Sequence, residues 1–171
     1  IMAEERPWLK NYPVGVPANI NPDEYPDLLA LLSETMSKFK GKDAFVCMGK
    51  SLTFDKLDNE SKRFAAYLHS RGLEPGDRIA LMMPNMLQYP IALFGALRAG
   101  LIVVNTNPLY TPREMKHQFN DSGVKAILIV ENFAHNLEEI IQDTGIKIVL
   151  VTSIGEMLGP IKGFIVNFVI R

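Results

Sequence analysis

Residues 89–104 read YPIALFGALRAGLIVV, and the first twelve of them carry a single charge, Arg98. A helix that is apolar almost all round belongs between two layers of structure, and Gly100 can end it in the left-handed region. Asn85 is placed to cap its start. The LIVV that follows at 101–104 is too short for a helix and is rich in β-branched residues, so it predicts a buried strand. A sandwiched helix running into a buried strand is the crossover unit of an α/β fold.

The same alternation continues on both sides. Downstream, NTNPLYTPRE (105–114) supplies a helix start: Thr111 can accept from open backbone N–H groups, Pro112 suits the first helical position, and Glu114 can reach back. Met115 and Phe119 then form an i, i+4 apolar pair, and KAILIV (125–130) reads as the next strand. Phe133, Leu137, Ile140 and Ile141 predict one further helix, and KIVLV (147–151) a final strand. Upstream, RIALMM (78–83) reads as the first strand of the set. Helical crossovers between apolar strands imply a Rossmann-like parallel sheet of about four strands, each crossover right-handed, with helices on its flanks.

Before that sheet, Leu57, Phe64, Ala65 and Leu68 make the apolar stripe of a helix over 56–70, and Leu28, Leu29, Leu32, Met36 and Phe39 make another. AFVCM and SLTF predict a β-hairpin between the two helices, turning at Gly49 and Lys50. Thr53 could open a capping box, but Lys56 stands where Glu or Gln would close it. Residues 1–26, punctuated by proline from Pro7 to Pro26, read as an extended N-terminal arm. The organisation expected is therefore arm 1–26, an α/β subdomain over 27–160, and an apolar tail over 161–171.

With 18 basic and 19 acidic residues scattered without long runs, the net charge of -1 excludes the clustered basic footprint of a nucleic-acid binder. Cys47 is the single cysteine, which rules out an intrachain disulfide or a cysteine metal cluster; it reads as a small buried hydrophobe in a reducing, cytoplasmic setting. IMAEERPWLKNYP lacks the basic start and apolar core of an export signal, and no window has the roughly 18 uninterrupted apolar residues of a membrane span.

Chemistry-bearing motifs are sparse. There is neither GxxxxGK[ST] nor GxGxxG, and MPNMLQYP, after the first strand of the sheet, lacks the Gly, Ser and Thr that would cradle a phosphate. That strand ends in Pro84 and Asn85 without the Asp of a phosphoacceptor, no GxSxG frames a nucleophile, and His69, His117 and His135 lie on separate helices without metal-ligand spacing. No catalytic residue and no metal ligand is assigned. Asn105 and Asn107 lie where open α/β sheets place ligands and are the pocket-edge candidates, against the plainer reading of NTNPLYTPRE as a capped strand-to-helix turn.

Gly155, Gly159 and Gly163 form two overlapping GxxxG spacings, but Glu156, Pro160 and Lys162 intervene, so a loop with helix breaks is expected. In GFIVNFVIR (163–171) six residues are large and apolar, with Asn167 alone among them. This run is too short to span a bilayer. It is expected to pack on further structure, to lie at a membrane surface, or to drive self-association of the chain.

PWLKNYPVGVPANINPDEYPDLLALL, GDRIALMMPNMLQYPIALFGALRAGLIVVNTNPLYTPREMKHQFNDSG and GFIVNFVIR together resemble the opening portion of bacterial long-chain fatty-acid CoA ligases of the acyl-adenylate-forming superfamily, over nearly the whole chain from Arg6. The resemblance implies a cytoplasmic, membrane-associated enzyme that uses ATP and magnesium to make a fatty acyl-adenylate and passes the acyl group to coenzyme A. The family's Ser/Thr/Gly-rich phosphate loop, its adenine and magnesium motifs, its hinge and its catalytic lysine would all lie beyond residue 171, so none is carried onto a residue here. The expectation is an N-terminal portion, inactive alone and holding no cofactor. A free-standing flavodoxin-like domain for a small ligand and a peripheral membrane or interaction module are the alternatives; a phosphate loop encoded after Arg171 would separate them.

Overall fold

The computed structural model describes residues 6–170. The ends of the expected arm (1–5) and tail (171) lie outside the described residues. In chain order the elements are α1 (Leu28–Lys38), β1 (Asp43–Cys47), β2 (Lys50–Thr53), α2 (Phe54–Ser70), β3 (Arg78–Met82), α3 (Gln88–Arg98), β4 (Ile102–Asn105), α4 (Pro112–Ser122), β5 (Ala126–Val130), α5 (Ala134–Glu138), β6 (Ile148–Thr152) and α6 (Pro160–Ile170). The arm carries a short 3-10 turn at Pro7–Asn11 and no buried residue in it.

Strands β3 to β6 form one parallel sheet in the order β4-β3-β5-β6. The chain leaves β3 for β4 on one side and returns to place β5 on the other, so the order reverses between β3 and β5. Alternation along β3 sends Ile79 and Leu81 to one face and Ala80 and Met82 to the other. On the first face they meet Ala92 and Ala96 of α3, Ala99 just after it and, outside that, Ala65 and Leu68 of α2. On the second they meet Met115 and Phe119 of α4 and Leu137 of α5.

Helix α3 is the sandwiched layer its composition predicts. Its other side turns Ile91 and Phe94 to a second core built from Met36, Leu52 and Leu57, which fastens α1 and the β1–β2 hairpin to the sheet domain. Helices α2 and α3 touch at Gly95, where an added Cβ would strike the Phe64 ring and the Ser61 carbonyl. Beside that contact Arg98 turns inward, donating from Nε to Ser61 Oγ (3.1 Å) and from Nη2 to Asp58 Oδ1 (2.6 Å). Fully buried Ser61 and the Asp58 carboxylate together hold an arginine whose side chain is only 14% exposed.

Several expectations are corrected. LIVV is an edge strand, with Ile102 49% exposed; only β5, central and apolar throughout, is buried at every residue. The hairpin turns at Met48 and Gly49, one residue earlier than expected, because Cys47 pairs with Lys50 and both turn residues take positive φ. Asn85 does not cap α3, which starts at Gln88 after Leu87. That helix needs little capping: the Tyr89 N–H donates to the Met86 carbonyl and Pro90 has no N–H to satisfy. The helix expected from Phe133 to Ile141 is divided into 3-10 turns at Glu131–Phe133 and Ile141–Asp143 around the five-residue α5. Lys116 Nζ holds the Asp143 carboxylate (2.6 Å) and Asn120 donates to its carbonyl (3.1 Å), fastening the second turn to α4.

Candidate functional site

In an open parallel sheet ligands gather beyond the carboxyl ends of the strands, near the point where the strand order reverses. Here that rim is formed by the segments after β3, β4, β5 and β6. The loop after β4 is closed by its own residues. Thr111 Oγ1 accepts from the Glu114 N–H (3.4 Å) while the Glu114 carboxylate accepts from the Thr111 N–H (2.8 Å) and Oγ1 (2.8 Å), a complete capping box. The backbone N–H and hydroxyl of Thr111 hold the Glu114 carboxyl below its usual range.

The two candidate asparagines do local work in that loop. Asn105 Oδ1 accepts from the Tyr89 hydroxyl (2.9 Å), linking β4 to α3, and its carbonyl accepts from Gln118 Nε2 (3.1 Å). Asn107 Oδ1 accepts from the Leu109 N–H (3.0 Å), an Asx turn that shapes the approach to Thr111. Each side-chain oxygen is engaged within the fold, and neither residue lines the groove described next. The histidines stand apart, on α2, α4 and α5; His69 Nδ1 lies 3.2 Å from the Leu73 carbonyl.

A polar cluster that sequence reasoning missed gathers at the end of β6. Thr152 Oγ1 donates to Glu156 Oε2 (2.5 Å) and accepts from Gln88 Nε2 (3.4 Å), which also donates to the Ser153 carbonyl (2.9 Å). Asn167 completes the cluster from α6, accepting from the Gly155 N–H (2.7 Å) and donating to Ser153 Oγ (3.0 Å). Gln88 and Thr152 are 64 positions apart, so no local spacing could have signalled it. An open groove of about 550 Å³ runs from this cluster between Phe64 and Tyr67 of α2, Ile91 of α3 and the free side of β6.

These residues do not fit a nucleotide or a magnesium ion. The segments after β3 and β5 carry no glycine, the α4 N-terminus is filled by its capping box, and one oxygen of the Glu156 carboxylate accepts from both the Thr152 hydroxyl and the Ser153 N–H. Among the described residues no group of three or more His, Cys, Asp or Glu side chains could hold a metal. What the geometry can do is fix the start of α3, the end of β6 and the docking of α6 as one polar joint beside an apolar groove.

The chain is 55% identical over 165 residues to the long-chain-fatty-acid–CoA ligase of Salmonella typhimurium, a match covering 96% of this chain and 29% of that protein. It is 38% identical over 130 residues to the ligase of the same description from Bacillus subtilis, covering 76% and 23%. A benzoate CoA ligase from Burkholderia xenovorans shares the fold with a TM-score of 0.68 and 27% identity, covering 81% of this chain and 27% of that one. A long-chain-fatty-acid-CoA ligase from Archaeoglobus fulgidus, at 21% identity and TM-score 0.66, agrees in fold over 80% and 28%. The chain thus spans less than a third of the length of these relatives. Residues 32–161 match the family model described as AMP-binding enzyme, and the chain belongs to that family.

Proposed function

We propose that this chain is the N-terminal portion of a long-chain fatty-acid CoA ligase, a cytoplasmic enzyme that converts a long-chain fatty acid, ATP and coenzyme A to acyl-CoA, AMP and pyrophosphate through an acyl-adenylate. The observation that carries this reading is 55% identity over 96% of the chain to a ligase of that description, uninterrupted by a change of fold class. The chain's own residues supply a framework: sandwiched α3, the parallel sheet, and the joint at Gln88, Thr152 and Asn167. No chemical step is assigned to them, because the rim they form lacks a cradle for phosphate or magnesium. Magnesium, ATP and coenzyme A would be held by the remaining length of the protein.

It follows that this chain alone is inactive. Fatty-acid-dependent exchange of labelled pyrophosphate into ATP tests the reading, with the chain measured beside a protein extended to the full length of its relatives. The extended protein should exchange label and form acyl-CoA with long-chain acids, and the chain alone should match a no-protein control. Exchange by the chain itself, or none by the extended protein, would overturn the proposal.

A further inference from the structure

We draw no further inference here: the strongest candidate, the open apolar groove along the free side of β6 between Phe64 and Tyr67 of α2 and Ile91 of α3, is an unpartnered face of a chain spanning less than a third of the length of its relatives, and nothing in the structure shows what covers it.

Discussion

Helices α4 and α6 are both eleven residues long and both begin with proline, yet they relate to the protein in opposite ways. In α4 the apolar pair Met115 and Phe119 is wholly buried and polar residues such as Arg113, Glu114 and His117 face water. In α6 the buried residue is a glycine and the aromatic rings face water. The first helix is held by burial of large side chains, the second by close backbone approach and the hydrogen bonds of Asn167. Apolar periodicity tells which side of a helix is greasy; the environment decides which way that side points.

The largest expected effect tests this contrast directly. Phe119→Ala should cost about 4 kcal/mol, because it opens a cavity in a packed face of the sheet. Phe168→Ala, at a ring 76% exposed, should leave stability within about 0.5 kcal/mol of the parent. Urea unfolding of the two variants checks both, and comparable losses would mean that α6 is held by its phenylalanines after all.

A smaller effect should come from the glycine contact. Gly163→Ala places a methyl group where the Gly155 carbonyl already sits, and overpacking of this kind typically costs about 1–3 kcal/mol. Because α6 lies at the periphery, the loss should appear as faster amide exchange over 160–170 with α4 still protected. Uniform loss of protection would show that α6 is integral to the cooperative core.

Helices α1 to α4, the central strands and the capping box are legible because each is written in adjacent residues. Thr111, Pro112 and Glu114 define their turn within four positions, and KAILIV is apolar enough to need both faces covered. What is not legible depends on partners far along the chain. LIVV is as apolar as KAILIV, but its exposure follows from lying at the sheet edge, a consequence of strand order that no residue of LIVV encodes. Asn85 looks like a cap, but Tyr89 and Pro90 remove the need for one. The helix expected at 133–141 is broken by contacts from α4 to Asp143, which no apolar spacing anticipates. The GxxxG spacings predict a loop with breaks. Gly155 and Gly159 do lie outside the helices, while Gly163 is helical and is paired with Gly155 by the chain reversal between them. Of the groups on the sheet rim, Asn105 and Asn107 are visible from their position after a strand, whereas Gln88, Thr152 and Asn167 come together only in three dimensions.

The smallest effect concerns the end of α4 where sequence and structure agree most closely. Thr111→Ala removes the acceptor for the Glu114 N–H and one of two donors to its carboxylate, and should cost about 1 kcal/mol at neutral pH. That cost should depend on pH. Bonds from the backbone N–H and hydroxyl of Thr111 depress the folded-state pKa of Glu114 below its unfolded value of about 4.3, so the carboxylate's contribution is complete above that value. It is lost as pH falls through the lower folded-state value, because protonation then removes the charge that both donors favour. With Ala at 111 only the backbone donor remains, so the folded-state pKa rises part of the way back. The deficit of the variant in thermal unfolding should therefore be greatest near neutrality and shrink in acid. A carboxyl-carbon NMR titration of Glu114 in both proteins should place the variant's midpoint higher; coincident midpoints would mean that the hydroxyl adds nothing to the box beyond its bond to the backbone.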